Sequence, residues 1–247
     1  MEIIECGADR GETMLFLHGG GLSWWNYREA AQLLEPYFHV ILPVLDGHAG
    51  SGRAFVSMEN SASELLSWID EQFGGQILLA GGLSLGGQIL LEMLARRRDF
   101  CRFALVESAS VLPSRIAAAM IDPAVRLSYR LMRSRSFARL QFRYLRLKED
   151  LFEEYYRDTC GISQSDLAAF LKASTLYSMK ESISRTIAKV HVFAGGKETG
   201  RILRSAEMIG NAVPSCTVQI LPGLRHGEFS VCRAEEYARA IREITGV

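Results

Sequence analysis

Residues 77–97, ILLAGGLSLGGQILLEMLARR, constrain the fold of this chain more than any other stretch. A run of β-type apolar residues leads into a glycine-flanked serine, Ser84, and an apolar-faced helical pattern follows at once. Gly82, Ser84 and Gly86 form a G-x-S-x-G pattern. A strand that turns straight into a helix brings the residues two places either side of the serine into collision, so both positions must be glycine or very small. Such a turn lifts the hydroxyl clear of a sheet and leaves helix N-terminal amides beneath it, free to receive an oxyanion. The same window is the most apolar in the chain, but Ser84, Gln88, Glu92 and its glycines fit a buried strand-turn-helix better than a membrane span.

Short apolar runs alternate with helical patterns along most of the chain, the mark of a parallel sheet flanked by helices. Strands are expected at 2–6, 13–17, 39–43, 77–81, 103–107, 189–194 and 216–221. Helices are expected at 24–35, 59–73, 87–97, 201–211 and 235–245. Asn60 or Ser61 is expected to cap the second helix, with Glu64 in the box position for Ser61. The alternation breaks between Val111 and Thr186, a helical stretch that falls between two strands. An insertion there lies over the carboxyl ends of the strands and acts as a lid, giving a core of 1–111 and 187–247 and a cap of 112–186. Within it, Arg126 to Lys148 holds eight basic residues and no acidic one. Arg139, Arg143 and Arg146 share one helical face, and Phe137, Leu140, Tyr144 and Leu147 another. A solvated basic face, an anion-attracting surface and a membrane-docking surface all fit that pattern.

At 247 residues the chain is long enough for one large core, and its 28 basic and 28 acidic residues balance, which gives no charge argument for nucleic acid. Five scattered cysteines without C-x-x-C spacing argue against a disulfide framework or zinc site and fit a reducing cytosol. No metal cluster or phosphate loop is apparent, so no cofactor is expected. The N-terminus lacks the pattern of a secretory signal, and the expected location is the cytoplasm.

A serine hydroxyl needs a base within reach, and the base needs a third group to fix its tautomer. Of the five histidines, His226 follows the last expected strand at the sheet edge that carries Ser84. His18 reads as a loop brace, His39 and His191 as packed or rim residues, and His48, in the glycine-rich loop at 46–52, as a turn stabiliser that could also approach the site. Glu198 follows the strand at 189–194 at the same edge, and Glu107, closing FALVE, competes with it as the acid. The order Ser84, Glu198, His226 favours Glu198. Oxyanion donors are expected from the amide of Leu85 and from HGGG at 18–21, with Gly20 preferred and Gly21 possible.

HGGG at 18–21, DGHAGS at 46–51, GLSLG at 82–86, GGKE at 195–198 and GLRH at 223–226 together resemble the α/β-hydrolase superfamily, in its small cap-bearing branch of esterases, lipases and C–C bond hydrolases. The resemblance spans nearly the whole chain. It implies an α/β fold with a mostly parallel, doubly wound sheet of about seven strands, a helical cap, a Ser84–Glu198–His226 triad, and an oxyanion hole from Gly20 and Leu85. The sequence departs from the family in carrying Glu198 where many relatives have Asp, and Val44 and Asp46 where the loop after the third strand usually has Asp and Pro. It also places Arg225 before the base where glycine is common, and has one strand fewer at the N-terminal edge.

Three functions fit. The first is a serine hydrolase acting on a small-molecule ester or thioester through an acyl-enzyme. The second is a C–C hydrolase or lyase whose anionic substrate is held by Arg139, Arg143 or Arg225. The third is a ligand-binding protein of the same fold that does no chemistry.

Overall fold

The computed structural model describes residues 2–7 and 11–247. Seven strands form one sheet: β1 (Ile3–Cys6), β2 (Thr13–Leu17), β3 (His39–Pro43), β4 (Ile77–Leu83), β5 (Cys101–Glu107), β6 (Lys189–Gly195) and β7 (Cys216–Leu221). Their order is β1-β3-β2-β4-β5-β6-β7. Only β1 runs antiparallel, pairing with β3. All the other pairs are parallel. The parallel part of the sheet starts with β2, adds β3 on one side and then β4 on the other, the reversal that opens a crevice at the carboxyl ends of such strands.

The central strands β2, β3 and β4 are buried at every position, as expected for strands covered on both faces. One face packs on α2 (Met58–Phe73), α3 (Leu85–Arg96) and α8 (Gly200–Ala212), through Leu65, Ile69, Ile89, Leu90 and Ile209 among others. The other face packs on α1 (Arg28–Leu34) and α10 (Ala234–Thr245), where Phe16, Tyr27, Phe229 and Tyr237 meet. The cap of α2 differs from expectation. Ser57 takes the role, extended at φ −165° and accepting the Asn60 amide at 3.1 Å. Asn60 and Ser61 lie inside the helix, and Glu64 accepts from the Asn60 side chain instead. The pattern fits both frames, and the backbone becomes extended one turn earlier.

Four helices intervene between β5 and β6: α4 (Arg115–Met132), α5 (Arg135–Tyr144), α6 (Phe152–Gly161) and α7 (Gln164–Leu176). They are not a separate core. Val125, Ile162, Leu167 and Phe170 join the same apolar cluster as the strand residues. A second contact is made by Trp25, which packs with Ala138, Phe142, Phe152 and Tyr155 and donates its indole N–H to Asp158 at 2.8 Å. The Phe55 amide donates to Asp166 at 2.9 Å, and Arg28 pairs with Glu154. Among the described residues no helix is long and apolar enough to cross a membrane.

Candidate active site

Ser84 sits between β4 and α3 at φ 52° and ψ −108°, a conformation that L residues other than glycine rarely adopt. Two close approaches hold it there. A Cβ on Gly86 would lie 2.1 Å from the Leu17 carbonyl oxygen, and one on Gly82 would lie 2.4 Å from that of Gly86. Glycine at both places lets α3 leave β4 at a sharp angle.

The ends of the parallel strands are stitched together by main-chain hydrogen bonds. The Ser84 amide donates to Glu107 O at 2.8 Å, Ser108 to Phe193 O at 2.9 Å, and Lys197 to Leu224 O at 2.9 Å. This staircase brings the loops after β4, β5, β6 and β7 to one edge. There His226 Nδ1 donates to Glu198 Oε2 at 2.7 Å. The second Glu198 oxygen accepts from Ser108 Oγ at 2.6 Å and from the Gly195 amide at 2.9 Å. Burial pushes the Glu198 carboxyl up. The hydrogen bonds from His226, Ser108 and Gly195, with the His226 charge, outweigh that and hold it below its ordinary value. With Nδ1 engaged, Nε2 is the imidazole's free nitrogen. Ser84 and His226 line one cavity of about 90 Å³, together with Gly19, Gly20, Leu22, Leu83 and Leu145.

Glu107 lies elsewhere. Its oxygens accept the amides of Phe229 and Ser230, at the start of α9 (Glu228–Cys232), at 3.2–3.3 Å. Its carboxyl is pushed up to about 7 by burial, against the opposing hydrogen bonds of Ser230. Ser108, which sequence reasoning passed over, is the residue that joins Glu198 to β5, at φ 55°. Its only sequence signal is a small hydroxyl one place past a strand end on the site edge.

The HGGG loop is organised around one unspent amide. Gly19 donates to Asn26 Oδ1 at 3.2 Å and Gly21 to His48 Nε2 at 3.0 Å. The amides of Gly20 and Leu85 have no acceptor among the described residues. The two residues are adjacent, since a Cβ on Gly20 would lie 3.5 Å from the Leu85 Cβ. His48 also donates Nδ1–H to Asp46 O at 3.2 Å and stacks on Phe170 at 4.6 Å. Burial lowers it to about 4, so it is neutral and keeps Nε2 as an acceptor. His18 is likewise neutral, held well below its ordinary value by burial, and braces the loop after β3 by accepting the Leu45 amide at 3.0 Å.

A larger cavity of about 330 Å³ shares Gly20, Leu22 and Leu145 with the first and runs under α4 and α7, lined by Ile121, Val125, Met132, Ile162, Leu167 and Phe170 among others. Neither cavity has a lysine or arginine among its described lining residues. Arg139 pairs with Glu149 and lies over the Phe152 ring at 3.6 Å. Arg143 and Arg225 are exposed. Among the described residues no group of three or more His, Cys, Asp or Glu is placed to hold a metal ion.

Several solved structures share this architecture. An enol-lactonase from Burkholderia xenovorans superposes with a TM-score of 0.83 at 12% identity, covering 100% of this chain and 96% of its own. An esterase from Exiguobacterium antarcticum gives 0.82 at 15% identity, covering 99% and 95%. A hydrolase from Pseudomonas aeruginosa gives 0.82 at 16% identity, covering 99% and 94%. At such identities the likeness is one of fold. A sequence search among curated proteins gives no match. The model of the alpha/beta hydrolase family matches residues 14–240, and the chain belongs to that family.

Proposed function

We propose that this protein is a serine hydrolase that cleaves a neutral ester or thioester with an apolar acyl group through an acyl-enzyme. The observation that carries the reading is the shared cavity of Ser84 and His226, with the far side of the imidazole bound at 2.7 Å to a carboxylate that is 1% exposed. In this reading Ser84 Oγ attacks the carbonyl carbon while His226 Nε2 takes its proton. The proton then passes to the leaving group as the tetrahedral intermediate collapses. Glu198 fixes the tautomer and stabilises the imidazolium. The free amides of Gly20 and Leu85 receive the oxyanion, and water completes the cycle by the same route in reverse. Glu198 is the acid rather than Glu107 because Glu107 spends its oxygens on the amides of α9.

Residues 112–186 act as a lid on the core of 1–111 and 187–247, since α4, α6 and α7 supply most of the larger cavity's walls. Those walls are mainly apolar, and none of their described residues is a cation to hold a carboxylate. That favours an uncharged acyl chain over the anionic substrates of C–C bond chemistry. The structural relatives named esterase and enol-lactonase agree in bond type.

A fluorophosphonate probe, followed by p-nitrophenyl esters of graded chain length, tests the reading. Labelling at Ser84 and turnover of neutral esters are expected, with Ser84→Ala unlabelled and about 10⁶ slower. An unlabelled wild-type protein with no esterase activity would overturn the proposal in favour of a ligand-binding role.

A further inference from the structure

A helix lying on a protein surface turns apolar residues inward and polar ones out. The helix α4 does not. Its inward residues Ala118 and Val125 are buried, and Ile121, Val125 and Met132 line the larger cavity. Yet its outward stripe is also apolar. Ile116 is 83% exposed, Met120 61%, Leu127 82% and Leu131 52%. At 100° per residue these four fall within about 60° of one another on the helix, so they form one continuous row. Along one side of the row, rotated by about 40–100°, stand Arg115, Arg126 and Arg130. Among the described residues none of these three arginines has an ion-pair partner, and Asp122, the one acid of α4, is paired with Lys172. The following helix repeats the composition, with Leu140 and Tyr144 exposed around Arg143.

We propose that the outer face of α4 is a docking surface for an anionic lipid bilayer. The apolar row enters the acyl boundary and the arginines meet the headgroup charges, the arrangement of an interfacial amphipathic helix. Charge decides against the other apolar partner at hand. A second copy packed antiparallel on this face about a two-fold axis would set the two arginine rows side by side, with like charges close and partly desolvated. A bilayer rich in acidic lipid supplies the opposite charge. Docking here is peripheral, by one face of a helix, and crosses nothing. It is independent of the chemistry at Ser84.

Co-sedimentation of the full-length protein with vesicles tests the proposal. Binding is expected to phosphatidylcholine vesicles containing a quarter phosphatidylglycerol, and to weaken as salt is raised. Vesicles of phosphatidylcholine alone should bind at least tenfold less. A Leu127→Ser, Leu131→Ser double variant and an Arg126→Gln, Arg130→Gln double variant should each lose at least fivefold in binding. All four side chains lie outward, so their thermal midpoints should stay near that of the wild type. Ile187→Ser, which removes an exposed apolar side chain outside α4, should bind as the wild type does. Absence of binding to acidic vesicles, or binding that both α4 variants retain, overturns the proposal. So does a dimer in sedimentation velocity that Leu127→Ser dissolves while vesicles are ignored.

Discussion

The carboxylates Glu198 and Glu107 both end near the site edge, and their surroundings separate them. Glu198 holds His226 and is kept below its ordinary range, whereas Glu107 is pushed up to about 7 and faces main-chain amides. If Glu198 orients the base, Glu198→Gln should lower kcat by about 10⁴ while leaving KM nearly unchanged, because the wrong tautomer fails only in the transition state. Glu107→Gln should stay within about tenfold of the wild type. Steady-state kinetics on a p-nitrophenyl ester reads both, and a reversed ranking would make Glu107 the acid. The elbow offers a second test. A methyl on Gly86, in the first turn of α3, meets the Leu17 carbonyl at the end of the buried strand β2 at 2.1 Å, and that main-chain contact cannot yield cheaply. Gly86→Ala should therefore lose at least about 3 kcal/mol of stability in urea unfolding or fail to fold, well beyond the usual effect of a point substitution.

The elements that carry the site were legible to different degrees, for physical reasons. The central strands show in the sequence as short unbroken apolar runs because they are buried on both faces, and the five flanking helices show a helical period because each buries one face; observed ends shift by a few residues. The positions of Ser84 and His226 at one sheet edge can be read from the sequence because turn glycines and strand ends mark that edge. The choice of Glu198 came from chain order, since nothing local separates it from Glu107. The helix α9 leaves no mark in the sequence, because five residues are too few to show a period. The arrangement around His48 was likewise hidden, as it depends on partners far along the chain: the Gly21 amide on one side and the Phe170 ring on the other. That arrangement makes a prediction for the loop as a unit. Gly21 is tied to His48 and Gly19 to Asn26, while the Gly20 amide between them has no acceptor among the described residues. His48→Ala releases one tether, and kcat should fall between tenfold and a hundredfold, below the 10²–10³ of deleting an oxyanion donor outright. KM should change little. A loss confined to KM would assign His48 to substrate binding instead.

Glu107 bears on the stability of the entire molecule because it stands where distant parts of the chain meet. It ends β5 and accepts the amides of Phe229 and Ser230 just after His226, with Tyr27 from the segment before α1 and Tyr237 from α10 close enough for its charge to raise both hydroxyls further. Burial dominates its titration: the Ser230 hydrogen bonds and the His226 charge favour the carboxylate, and the fold still prefers the protonated acid. Below the ordinary glutamate value near 4.5 both folded and unfolded chains hold the proton, and this residue adds no pH dependence. Between there and about 7 the unfolded chain releases its proton while the folded one keeps it, so stability falls as pH rises. Above about 7 both are ionised and the loss is constant, at about 3 kcal/mol for a shift of that size. Glu107→Gln keeps an acceptor for the two amides and cannot ionise. The unfolding free energy of the variant minus that of the wild type, from urea titrations at pH 5, 6, 7 and 8, should therefore climb by about 2–3 kcal/mol across the series. Titrations common to both proteins cancel in that difference. A flat difference would mean that Glu107 is ionised throughout and that the amides of α9 hold a carboxylate.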